Sequence, residues 1–278
     1  MLQSLQTACL FILKSSGLQF FGSLGVLFLS GMLLSRFSKW TGNSFQQFVF
    51  PRFGLYFFGV IGIPIHEFSH AFFAKIFFHR IQKIKWFDPK GANGAYGSVT
   101  HYYEPGNLYH RIGMFFIGMG PVILAPAVLL ALYFFLVPAA NPLMLSGFNQ
   151  PSHLLENFAQ SLVASQNFHS IKFYLFIYFA ICLTSQMELS SADLKIARAG
   201  SLPFLLFLIV INSVTYFFQY NWQGKFISVF NSGLMLWGAC LLIASLIALV
   251  NLFFCWAALS LIHLLCGRES INPFHDHS

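Results

Sequence analysis

The sequence predicts an all-α polytopic membrane protein of about six transmembrane helices, with a small β-hairpin between the second and third. Of its 278 residues, 57% are hydrophobic and 8% are charged, against roughly 25% charged in an average soluble domain. The apolar residues also fall in runs long enough to cross a bilayer, which takes about 20 residues at about 1.5 Å each. The longest polar stretches, 79–109 and 138–171, are loop-sized and too short for an independent soluble core. The chain therefore reads as a single integral membrane domain over 1–278, with a core at 50–200 and additional spans at 201–278.

The first run, Gly17 to Leu34, follows one nearby positive charge, Lys14. It exceeds the roughly 7–15 apolar residues of a signal peptide and is kept as a span. The second, Phe53 to Phe78, contains Gly54, Gly59, Gly62 and Pro64. Proline removes a backbone donor and its ring clashes with the preceding turn, so a helix break is expected at Pro64, which would sit early in a second helical piece. Next, Ile81 to Phe87 and Ala95 to Tyr103 are β-prone and flank Asp88-Pro89-Lys90-Gly91-Ala92-Asn93-Gly94. Asp-Pro and Asn-Gly are turn signals, so 81–103 reads as a hairpin. Its edge can pair with an extended peptide or serve as a plain connector. Further spans are Ile112 to Val137, Ile171 to Leu189, Leu202 to Tyr220 and Phe226 to Cys266. The last would be a helix of about 60 Å: one span continuing along the interface, or two turning near Asn251, making seven in all.

The formal charge is +7, but the basic residues are scattered at the ends of apolar runs. They read as membrane-orientation signals and not as a nucleic-acid surface. Lys14, Arg80, Lys83, Lys85, Lys90, Arg111, Lys195 and Arg198 fall on one side of the first five spans. Arg36, Lys39, Arg52, Lys172 and Lys225 fall on the other. The excess places the N-terminus in the cytoplasm. Cys9, Cys182, Cys240, Cys255 and Cys266 are odd in number and lack short paired spacings, as expected of small buried hydrophobes.

The chemistry is concentrated in the second span, where residues 66–70 read His-Glu-Phe-Ser-His. On a helix His66 and His70 share a face one turn apart, as metal ligands do, and Glu67 can act as general base to a water activated by the metal. A carboxylate at bilayer depth costs about 2.5–3.5 kcal/mol on an insertion scale and marks a functional site. Two satisfied core histidines and a stray glutamate are the plain alternative. With eight acidic residues in the whole chain, metal binding is the better reading.

A catalytic zinc usually takes three protein ligands. Position 76, six residues beyond His70, is Ile76, and His79 lies past the expected helix end, where it reads as interfacial. Glu104, Glu156, Glu188 and Asp193 remain. Asp193 is favoured because Ser190-Ser191-Ala192-Asp193-Leu194-Lys195 lies at the end of the fourth span, on the motif's side of the membrane. The same residues suit an ordinary helix start, with Ser190 or Ser191 as N-cap and Asp193 near the positive dipole end. Glu188 comes from the same segment, and Glu104 would need the preceding loop to fold over the site. A di-iron enzyme would need more clustered histidines, whereas His101, His110, His153 and His169 fall in loops or at loop edges, and His275 and His277 in the tail.

Taken together, Ile65-His66-Glu67-Phe68-Ser69-His70-Ala71, the following loop with strand character, Gly120-Pro121 in the third span and an aspartate after the fourth resemble the site-2 protease family of intramembrane zinc metallopeptidases. The resemblance implies Zn2+ held by His66, His70 and Asp193, with Glu67 as catalytic acid/base. It further implies cleavage of peptide bonds within or next to transmembrane segments of other proteins, so the partners would be a membrane-protein or peptide substrate and the bilayer, with no nucleic acid. There are two departures. The asparagine that the family commonly carries shortly after Gly-Pro is replaced by Ile123 and Leu124, and the expected Leu-Asp-Gly setting is here Ala192-Asp193-Leu194. A reading from another class is a non-catalytic membrane protein, a pseudoprotease or transport accessory, that keeps the polar cluster for packing.

Overall fold

A computed structural model describes residues 2–48, 50, 52–91, 96–141, 151–218 and 220–274. Helix α1 (Leu2–Gln47) runs well past both ends of the expected first span. At 46 residues it is about 69 Å long, because neither Lys14 nor Arg36 carries a helix-stopping backbone preference and the first proline after Met1 is Pro51. Its continuation beyond the apolar stretch is a correction to the sequence reading.

Helix α2 (Val60–Ile76) contains the motif. The expected break at Pro64 is absent: the helix passes through it, and a π-helical segment at Leu55–Gly59 leads directly into α2. The irregularity thus lies just upstream of the proline, where widened turns accommodate a missing donor more cheaply than a broken chain. Strands β1 (Arg80–Lys85) and β2 (Ser98–Tyr102) then pair antiparallel as expected. The Asn93-Gly94 turn lies outside the described residues. A register irregularity between Ile81 and Lys83 lets Ile81 oppose His101 and Ile84 oppose Val99. The inserted residue shifts the alternation so that all four share the half-buried face.

The expected third span is two helices, α3 (Leu108–Gly118) and α4 (Gly120–Leu136), bent by 61° at Met119. Pro121 in the first turn of α4 suits a helix start and cannot continue α3. After α5 (Pro151–Leu162), a helix missed in the 138–171 stretch, comes α6 (Ile171–Thr184). At 14 residues α6 is about 21 Å long, short of a bilayer core of about 30 Å. Helices α7 (Ser191–Phe218) and α8 (Tyr220–Leu265) follow. Helix α8 is unbroken through Asn251, so the seven-span alternative has no turn to support it.

Among the described residues, four helices are long and apolar enough to cross a membrane, or five if the bent α3–α4 pair is one passage. This is the composition of a multi-pass membrane protein, and the exposed positions agree: Phe21, Leu29, Val250 and Phe254 project apolar side chains outward. Helix α1 packs along α8, and α3 along α7, around a core that includes Leu34, Phe115, Val122, Tyr133, Leu208 and Leu241. Within this apolar interior Asn212 on α7 donates to Gln19 Oε1 at 2.8 Å and to Ser16 Oγ at 3.1 Å on α1, a polar tie of the kind that fixes helix pairs in lipid.

Candidate metal centre

His66, Glu67 and His70 are placed by α2, and Asp193 by the first turn of α7. His70 Nε2 lies 3.1 Å from His66 Nε2 and 3.2 Å from Asp193 Oδ1, while His66 Nε2 is 3.7 Å from Asp193 Oδ2. Ligand atoms about 2.0–2.1 Å from a tetrahedral ion stand about 3.3 Å from one another, close to these separations. Among the described residues, His66, His70 and Asp193 form the group able to hold a metal ion.

The hydrogen bonds behind the cluster decide what its atoms can do. His66 Nδ1 is 2.8 Å from the Gln186 carbonyl, and His70 Nδ1 is 2.7 Å from the Ile117 carbonyl. A carbonyl only accepts, so both Nδ1 atoms carry a proton, and when the rings are neutral both Nε2 atoms are bare. Two lone pairs facing each other beside a carboxylate repel one another and suit a cation. Backbone carbonyls orienting the ligating imidazoles are the usual supporting shell of such a site.

Asp193 holds two positions at once. Ser190 Oγ accepts from Asp193 N at 3.1 Å, and Ser190 N donates to Asp193 Oδ2 at 2.9 Å, a reciprocal capping box with aspartate at its third position. The helix-start reading and the ligand reading are therefore compatible: the cap fixes the carboxylate with Oδ1 towards His70. Asp193 is 5% exposed, and Glu67 and His70 are each 7% exposed.

What brings α7 so close is the packing of small residues. A Cβ at Gly118 on α3 would overlap the backbones of Asp193 and Ala197, and one at Gly200 would overlap Phe115. The helices touch main chain to main chain, and Asp193 reaches α2 across that contact.

The site lines a cavity of about 820 Å³ whose walls include Ser38, Lys39, Gln186, Glu188, Gly97 and His101. Irregular backbone at the π-helical segment and in residues 185–190 borders it, as required where non-helical chain occurs at membrane depth. Of the other acids considered, Glu188 lines the cavity but is outside the ligand group. Glu104 is exposed, and Glu156 is exposed and bonded to Gln160 on α5.

Two features escaped the sequence reading. Gly97 sits on Glu67, where a Cβ would come within 2.7 Å of Glu67 Cγ and Oε1. His79, read as interfacial, is buried and pairs with His101 at 3.0 Å. Both join residues far apart in the chain; the alternation of Val99 and His101 along β2 puts those two on one face but does not name the partners. Compared with protein-family models, with curated proteins and with solved structures, the chain matches none.

Proposed function

We propose that this protein is a membrane-embedded zinc-dependent endopeptidase that cleaves peptide bonds within or next to transmembrane segments of other proteins. The observation that carries the reading is the pair of Nε2 atoms facing one carboxylate, with Glu67 beside them in a cavity among apolar helices. His66 lies 11 residues beyond Leu55 in the 22-residue span Leu55–Ile76, about halfway along it. On this reading α6 serves as a sixth passage joined to its neighbours through residues 185–190, and the N-terminus is cytoplasmic.

His66, His70 and Asp193 would hold the ion, which when bound supplies Lewis acidity to a water and to the scissile carbonyl. Glu67, one residue after His66 and lining the cavity, would accept a proton from the attacking water and return it to the departing amine. The surrounding apolar helices limit competing water, and the cavity is large enough for several residues of unwound chain.

The test combines elemental analysis with cleavage of a reconstituted membrane substrate. Wild type should carry one zinc per chain and cleave, and Glu67→Gln should keep the zinc while losing roughly 10²–10⁴-fold in rate. Absence of stoichiometric zinc, with His66→Ala affecting only folding, would support the non-catalytic alternative.

A further inference from the structure

The β2 face turned to the cavity carries Val99 and His101, with Gly97 just ahead of the strand also lining the cavity, and His101 is fixed in one tautomer by groups outside the metal cluster. His79 Nε2 is 2.9 Å from the His110 carbonyl. It must donate there, which leaves His79 Nδ1 bare. His101 Nδ1, 3.0 Å away, is therefore the donor of that pair, and His101 Nε2 is left as an unprotonated acceptor. The support is rigid: His79 is buried, its ring stacks on Tyr103 at 5.3 Å, and His110 Nδ1 accepts from Glu104 N at 3.1 Å. His101 lines the cavity and His79 does not, so the nitrogen that faces away from His79 is the one offered to a bound molecule.

We infer that His101 is a substrate-positioning residue whose Nε2 accepts a main-chain N–H of the peptide held beside Glu67. The inference deepens the metallopeptidase reading and rests on it. An extended peptide laid on this face meets bare backbone packed on Glu67 at Gly97, an apolar contact at Val99 and a hydrogen-bond acceptor at His101. Glu67 and Asp193 are acceptors committed to proton transfer and to the ion, so His101 supplies an acceptor that neither task uses. His79 is a positioning residue for His101.

The experiment measures binding of a Leu-Leu-Leu hydroxamate, and of its analogues N-methylated at each amide in turn, to the zinc-loaded protein in detergent. One analogue should bind wild type roughly three- to tenfold more weakly than the parent, the worth of one neutral hydrogen bond. His101→Leu should bind the parent weaker by the same factor and be indifferent to that methylation, because the two changes remove one interaction. His101→Gln, which keeps an acceptor, should recover part of the loss, with zinc content equal in all three proteins. Parent affinity unchanged in His101→Leu, or additive effects of variant and methylation, would overturn the inference while leaving the enzyme reading intact. Wild type that holds no zinc and binds no hydroxamate would overturn both.

Discussion

Gly97 lies directly on the Glu67 carboxyl, so close that a Cβ would come within 2.7 Å of Oε1. The hairpin therefore touches the proposed general base with bare backbone, and its position and that of Glu67 are set together. Gly97→Val should push one of them aside. A displacement of about 1 Å in a catalytic group costs on the order of 10²-fold, so cleavage should fall about a hundredfold. The zinc content should not change, because the atoms nearest a Cβ at Gly97 belong to Glu67 and Ile63 and to none of the three proposed ligands. Coupled loss of zinc and activity would show that the hairpin supports the cluster and not Glu67.

The same logic applies where α3 meets α7. Gly118 and Gly200 allow main-chain contact beside Asp193, and side chains added to a tight contact typically cost about 1–3 kcal/mol. Gly118→Ala should lower the thermal midpoint and weaken zinc binding together, since separating α7 from α3 draws Asp193 from His70. A control change on the exposed face, Leu202→Ala, should do neither. Equal zinc affinity in Gly118→Ala and wild type would sever the link between that contact and the site.

The residues that gather at the candidate site were more legible than the architecture. His66, Glu67, His70 and Asp193 were legible because their types are costly in lipid and their spacing or helix-start context is informative. Span boundaries were not, since helix continuation depends on tertiary neighbours: α1 and α8 extend through polar positions, and α6 stops at Thr184 although apolar residues follow. The bend at Met119 was half visible in Gly120-Pro121. Pro64 misled because a π-helical segment upstream absorbed its geometry. His79–His101 and Gly97–Glu67 are contacts between distant residues, which no local period encodes.

The cap that Asp193 forms and the ligand role proposed for it can be separated. Asparagine caps helices about as well as aspartate, so Asp193→Asn should preserve the bond from Ser190 N and the start of α7. It removes the anionic ligand, and zinc affinity should fall beyond the 10–100-fold typical of losing a supporting residue. Asp193→Ala should lose the metal and, in addition, about 0.5–2 kcal/mol from the missing cap. Titration with a competing chelator and thermal melts of the metal-free proteins measure the two effects independently. Metal-free Asp193→Asn melting as low as Asp193→Ala would mean that the cap does not stabilise α7.

The imidazole pair of His79, just ahead of β1, and half-buried His101 on β2 gives a pH dependence outside the membrane-spanning helices. His101 is carried from 6.5 down to about 4, by burial first, then by the His79 ring and His70. His79 is also lowered, again chiefly by burial, partly offset by its bond to the His110 carbonyl. The groups facing the pair are thus His70, His110 and each other. With the folded value below the unfolded one, the unfolded chain binds more protons between these limits, so stability rises with pH. The contribution is complete above about 6.5 and is lost as pH falls towards about 4. In detergent, the thermal midpoint of wild type should drop more between about pH 7 and pH 4.5 than that of His101→Gln, which cannot titrate. Carboxylates common to both proteins cancel in the comparison, and equal drops would mean that His101 is not held neutral by its surroundings.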